Sequence, residues 1–140
     1  MNKTEILEFI RKNNVCYLAT IEGDTPHVRG MGVKMADENG ILLQSWTFKD
    51  IYPQLCHNPK VELCFHNRKN VMQVRVSGKI EPVKDMDLKR NIVAKHSYLG
   101  RMLDELGKGY EVLYLFILRH GLATVWTREN NFKPKEYVQL

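Results

Sequence analysis

Apolar residues recur along the chain with two different periods, and the switches between them mark out its elements. Ile6, Leu7, Phe9 and Ile10 share one helical face, and Asn2 followed three residues later by Glu5 is a capping-box pattern, so an amphipathic helix is predicted over residues 3–13. Val15 to Ile21 is rich in β-formers, Glu22-Gly23-Asp24-Thr25 is a hairpin turn, and a second strand is predicted from Pro26 to Ala36. Asp37-Glu38-Asn39-Gly40 turns the chain again into a third strand, Ile41 to Ser45. A short helix from Asp50 to His57 tolerates Pro53 in its first turn and stops at Asn58-Pro59. Alternation then resumes. Val61, Leu63 and Phe65 alternate with Glu62, Cys64 and His66, while Met72, Val74, Val76 and Ile80 alternate with Gln73, Arg75, Ser77 and Lys79, so each run predicts a strand with one dry and one polar face. Asp85 caps a helix through Leu88, Ile92 and Val93, and a second helical piece from Leu99 to Leu106 ends at Gly107-Lys108-Gly109. Val112 to Leu118 is apolar at every position, the pattern of a strand covered on both faces, and a second subunit is the simplest cover for the outer one. Gly121 to Arg128 closes the sheet, and Asn130 to Leu140 reads as a loosely attached tail.

This order of elements has no βαβ periodicity. It predicts a mainly β fold with flanking helices: a small antiparallel barrel of six or seven strands, with residues 1–140 as one domain. At 140 residues and 44% hydrophobic, the chain can bury one core but is too short for separate cofactor and substrate domains, so a sizeable active site is expected to draw on a partner subunit. The formal charge of +5 suits an anionic ligand. The longest apolar run is far below the roughly 20 residues that span a bilayer, and Met1-Asn2-Lys3-Thr4-Glu5 has no apolar signal core. Cys16, Cys56 and Cys64 lack a disulfide framework, so a cytoplasmic protein with no membrane partner is expected.

Several chemistries have no support. There is no Gly-x-Ser-x-Gly, no His-Glu-x-x-His and no phosphate-cradling Walker loop, so hydrolase and nucleotidase readings fall away. Cys56, His57, Cys64 and His66 lack the tight paired spacing of structural zinc, and no metal is expected. The basic run His66-Asn67-Arg68-Lys69-Asn70 reads as a solvated hairpin loop. Aromatics make up only 9% and fall mostly in apolar strands, so no nucleic-acid partner is expected. Two segments stand out instead: Val28-Arg29-Gly30-Met31-Gly32-Val33-Lys34 and Gln44-Ser45-Trp46-Thr47-Phe48-Lys49. Each ends a strand-like run with a cation or hydroxyl, which is what a barrel needs to hold a phosphate at its lip.

Four elements in order, Tyr17-Leu18-Ala19-Thr20, Val28-Arg29, Leu55-x-x-Asn58-Pro59-x-Val61-x-Leu63 and Val74-Arg75-Val76-x-Gly78, make the chain resemble the FMN-binding split barrels related to pyridoxamine 5'-phosphate oxidase. The likeness is to the short general-stress and nitroimidazole-resistance types and runs from about Val15 to Pro82. It implies an FMN-dependent oxidoreductase, working as a homodimer with FMN sites at the subunit interface and acting on a small-molecule substrate or electron donor. The resemblance puts Arg29 on the phosphate, the stretch Gly30, Met31, Gly32, Val33 and Lys34 along the ring edge, Ser45, Trp46, Thr47 and Lys49 in a second phosphate segment, and Gln73 on the flavin of the other subunit. Gly30 stands where many short members have proline, and the Arg-x-His substrate motif of the true vitamin B6 phosphate oxidases is not reproduced, since Arg119-His120 has the wrong spacing. No catalytic side chain is assigned, because hydride chemistry on a flavin needs no protein nucleophile. Trp46 and Trp126 are candidates to shield the ring. The alternative function is a non-catalytic flavin- or haem-binding stress or sensor protein, with His27, His57, His66, His96 and His120 as candidate haem ligands.

Overall fold

The computed structural model describes all residues 1–140. Helix α1 (Lys3–Lys12) starts at the expected capping box: the Asn2 side chain accepts from the Glu5 amide at 2.9 Å, and the Glu5 carboxylate accepts from the Asn2 amide at 2.8 Å. Strands β1 (Val15–Glu22), β2 (Thr25–Asp37) and β3 (Gly40–Trp46) form two consecutive hairpins. The second turn needs glycine, because Gly40 has φ 135° and a Cβ there would lie 2.6 Å from the Leu118 carbonyl oxygen. Helix α2 (Ile51–His57) leads into β4 (Lys60–Asn67) and β5 (Met72–Val83). Asp85 caps α3 (Met86–Lys95) by accepting from the Asp87 and Leu88 amides, and α4 (Ser97–Leu106) ends at Gly107 in the left-handed region. Strands β6 (Leu113–Leu118), β7 (Leu122–Trp126) and β8 (Val138–Gln139) complete the chain.

Six strands close a barrel in the order β1-β2-β3-β6-β5-β4 and back to β1, and β7 and β8 extend it from β5. Every pair is antiparallel. Two strands are long enough to serve both halves of the barrel. The first part of β2 pairs with β1 and its last residues with β3; β5 pairs with β4 and β7 along Gln73 to Ser77 and with β6 from Ile80 to Val83.

The barrel interior is the main core. Leu18, Leu43, Leu63, Phe65, Val74, Val76 and Phe116 fill it, joined by Ile6, Phe9 and Ile10 of α1 and Ile51 and Leu55 of α2. Strand β6 alternates between two cores: Tyr114, Phe116 and Leu118 face the barrel, while Leu113, Leu115 and Ile117 face α3 and α4. The outer face of β6 is therefore covered by the chain's own Ile92, Leu99 and Leu103, not by a second subunit as its sequence suggested. The amphipathic helices that follow β5 fold back over it, a tertiary choice that the apolar run cannot reveal. The expected loose tail is also corrected. Val138 and Gln139 pair with β7, the Leu140 amide donates to the Gly121 carbonyl at 2.9 Å, and the Leu140 side chain is buried in the barrel core. No helix is long and apolar enough to cross a membrane.

Candidate functional site: a cationic cleft where two strands part

Register fixes which side chains enter the barrel. Arg29 lies opposite Leu18, His27 opposite Thr20 and Met31 opposite Cys16, all on the inward face of β1 and β2. Pairing between β2 and β3 begins only at Val33 and Leu43, with an irregularity between Val33 and Met35, and β3 residues Gln44 to Trp46 pair with β6 alone. The facing edges of residues 28–32 and 44–46 thus have no strand partner, and alternate backbone N–H and C=O groups along them are free for a ligand, apart from the Trp46 carbonyl, which accepts from the Lys49 amide at 3.1 Å. Between these edges lies a cleft of about 420 Å³.

Eight of the eleven expected residues line it: Arg29, Gly30, Met31, Gly32, Lys34, Ser45, Trp46 and Lys49. Three do not. Val33 is buried in the barrel core, the Thr47 amide donates to the Val112 carbonyl at 3.0 Å just outside the cleft, and Gln73 lines a second cleft at the far side of the sheet. Trp46 borders the first cleft, but its ring belongs to the core under α3 and α4 and stacks on Phe48 at 5.9 Å; Trp126 lines the second cleft. A Cβ on Gly30 or Gly32 would meet nothing within 4 Å, so this stretch presents bare backbone to open space.

Arg29 is held more firmly than its strand position alone requires. One terminal nitrogen donates to the Thr20 hydroxyl at 2.7 Å and the other to the Gln54 side-chain carbonyl at 2.5 Å, while Thr20 itself donates to Gln54 at 2.7 Å. Thr20 is 1% exposed and Gln54 3%, so the network is shielded from water. Burial lowers the Arg29 pKa from its ordinary value and the Asp50 carboxylate opposes this; a guanidinium keeps its charge throughout. Three cations, Arg29, Lys34 and Lys49, thus share the cleft with a single carboxylate, Asp50. Lys34 leans on Tyr98 at the start of α4, donating to its hydroxyl and lying 4.9 Å from its ring centre. The inward-facing His27, which also lines the cleft, has a buried Nε2 with no hydrogen-bond partner.

Thr20 and Gln54 went unrecognised as site residues in the sequence. Gln54 left a signal: it falls on the same face of α2 as the buried Ile51 and Leu55, so a polar side chain was bound for the interior and needed a partner there. No three His, Cys, Asp or Glu side chains come together closely enough to hold a metal ion.

Residues 3–112 match the family model described as pyridoxamine 5'-phosphate oxidase. The chain belongs to this family. Among its curated relatives, the pyridoxine/pyridoxamine 5'-phosphate oxidase of Rhodopseudomonas palustris strain BisB18 is 30% identical over 106 residues, covering 74% of this chain and 50% of the relative. The chain spans half of that enzyme's length or less of other curated relatives, as with 35% of the oxidase from strain TIE-1. Among solved structures, a NimC/NimA family protein from Clostridium acetobutylicum superposes with a TM-score of 0.78 at 27% identity, over 98% of this chain and 92% of that one. The barrel is also shared, as a fold alone, with the haem storage protein HutZ of Vibrio cholerae, with a TM-score of 0.62 at 19% identity over 85% of this chain and 90% of that one.

Proposed function

We propose that this family member is an FMN-binding flavoprotein, and that it acts as an oxidoreductase reducing a small molecule. The observation that carries the reading is Arg29, locked by two buried polar side chains and set among further cations where two strand edges lie unpaired. A phosphate ester near the dianion is costly to remove from water unless cations and donors meet it, and the cleft offers both. Arg29 would take the phosphate as a rigid fork and Lys49 as a mobile point charge, with the Ser45 hydroxyl and the free backbone groups of residues 44–46 completing the cradle. The Gly30 and Gly32 backbone would lie along the ring, and Lys34 would place positive charge at its edge. Bound FMN supplies two-electron chemistry at its ring; the side chains of this chain bind, orient and shield it.

The same reading makes the working unit a homodimer. The outward faces of β1 and β2 carry Val15, Tyr17 and Val28, which are 63%, 57% and 68% exposed, beside the bare backbone of Gly30 and Gly32. An apolar sheet face of this kind, rather than β6, is the surface a second copy would cover. Gln73 lies on that same outward side, two strands beyond β1, in keeping with a role at the other subunit's flavin. Oxidation of vitamin B6 phosphates is not proposed, because the Arg-x-His motif is absent.

The test is the visible spectrum of the purified protein with added FMN, followed anaerobically after NADH and after NADPH. Flavin bands that bleach with one donor support the oxidoreductase and name its reductant. Tight FMN that never bleaches favours a binding protein without turnover, and no flavin binding at all removes the cofactor and makes haem the next ligand to try. His27 is the one histidine lining the first cleft, so a haem Soret band that survives His27→Ala would leave the haem reading without a ligand there.

A further inference from the structure

The irregularity in β2 falls on Lys34. Val33 pairs with Leu43 and Met35 with Leu42, so two residues of β2 are set against one step of β3, and Lys34 is the extra residue of a bulge. In an unbroken strand Val33 and Met35 would share a face. Here Val33 is buried in the barrel core, while Met35 packs against the second core beneath α3 and α4. The bulge turns the backbone from one core to the other and re-aims the side chain between them. The Lys34 ammonium runs to the first turn of α4, where it donates to the Tyr98 hydroxyl and lies 4.9 Å from that ring's centre. No carboxylate lies within 4.0 Å of it. A cation beside the first turn of a helix gains nothing from the helix dipole, so the hydroxyl and the ring face are what hold it.

Tyr98 stands on a fixed corner. Leu99 and Leu103 bury α4 against the outer face of β6. His96 is the single residue between α3 and α4; its amide donates to the Ile92 carbonyl at 3.0 Å and its carbonyl accepts from the Leu99 amide at 2.9 Å. A Cβ on Gly100 would lie 3.5 Å from Val93 Cγ1, so the two helices are in close contact beside this corner. The Tyr98 ring meets the His96 ring edge to face at 6.1 Å. Burial lowers the His96 pKa, and the positive charges of Lys34 and Lys95 lower it further, so the imidazole senses where the Lys34 ammonium is held.

We propose that Tyr98 is a positioning residue: it holds the Lys34 ammonium at the rim of the cationic cleft, so that the corner between α3 and α4 sets the charge a bound ring meets there. The contact itself stands on the bulge and the tether, whereas what its charge acts on rests on the flavin reading. Positive charge beside a flavin favours the reduced, anionic ring, so Tyr98 acts on the cofactor through Lys34.

The first test uses the FMN-free protein and follows the carbon-bound ring protons of His96 by NMR as pH is raised, with the signals assigned by His96→Gln. Lys34→Gln removes a nearby positive charge and should raise the His96 pKa. Tyr98→Phe keeps the ring against His96 but removes the hydroxyl that holds Lys34, and should move the value the same way. The double variant should go no further than Lys34→Gln alone, because without Lys34 the hydroxyl has nothing to hold. The second test measures the affinity for reduced FMN relative to oxidised FMN. That ratio should fall about two- to five-fold in Lys34→Gln, the order of a partly exposed charge, and by less in Tyr98→Phe, again without adding in the double variant. A His96 signal that Tyr98→Phe does not move, or effects that add in the double variant, would overturn the tether. FMN that binds with a ratio unaltered by Tyr98→Phe would overturn its role in the cleft. Failure of FMN to bind at all removes the flavin reading instead, and the His96 titration still decides the tether.

Discussion

Strands β2 and β5 each leave one side of the barrel for the other, yet one crossing opens into a cleft and the other is sealed. At the β5 crossing, glycines are filled against: a Cβ on Gly78 would lie 2.7 Å from Leu118 Cδ1, and one on Gly121 would lie 2.5 Å from Val76 Cγ1. At the β2 crossing, Gly30 and Gly32 face open space, the adjoining edges have no strand partner, and cations replace apolar side chains. Glycine alone therefore does not make a site. What matters is whether a neighbour's side chain occupies the room it leaves.

The open crossing is broken most severely by removing its charge. Arg29→Ala combined with Lys49→Ala should abolish FMN retention through gel filtration while leaving secondary structure unchanged, with a loss of about 2–5 kcal/mol for each uncompensated partner of the phosphate. A double variant that still elutes yellow would remove the phosphate assignment. The sealed crossing is broken by adding a single methyl group. Gly121→Ala must push Val76 aside and should lower stability by about 1–3 kcal/mol, read as a shift in the denaturation midpoint that does not depend on protein concentration.

Smaller effects separate the two crossings more finely. Gln54→Ala should leave the fold in place but weaken FMN binding by about 1–2 kcal/mol, because Arg29 and Thr20 lose a shared acceptor; flavin fluorescence titration measures it. Gly30→Ala meets nothing within its own chain, so in the FMN-free protein its effect should appear only where a second copy covers the face, as a midpoint that falls on dilution more steeply than that of the unaltered protein. An identical dilution response would leave the β1–β2 face without a partner. Beneath the cleft, burial pushes the Cys16 thiol up to about 12, so at pH 8 a thiol reagent should modify exposed Cys56 first and leave Cys16 untouched in the native state. The raised value has a sign for stability: Cys16 keeps its proton in the fold after the unfolded chain has lost it, so stability falls as pH climbs from about 9 towards 12.

Local pattern carried most of the elements. The capping box at Asn2, the alternation through β4 and β5, and Asp85 before α3 each speak through neighbours a few residues away, and the strands and helices formed there. The cationic segments were legible for a related reason, since Arg29, Lys34 and Lys49 interrupt runs otherwise fit for a core or a plain sheet face. Less legible was anything decided across the fold. Residues 26–36 read as one strand, and nothing in their order marks Val33 as the point where the partner changes from β1 to β3. The continuous apolar run of β6 reported two covered faces but could not name the covers. Residues 138–140 are too few to show a period, so their docking on β7 and the core came only with the structure.

Strand β6 also sets when the barrel can close. It bonds to β3 on one side and to β5 on the other, yet follows β3 by more than sixty residues, from Trp46 to Leu113. During synthesis the β1–β2–β3 hairpins and the β4–β5 hairpin can pair as they emerge, but the two edges that await Leu113 to Leu118 stay exposed until those residues have been made. The slow step of folding should therefore be the insertion of one short apolar strand. A chaperone that shields strand edges would act on this protein late, after most of its secondary structure has formed.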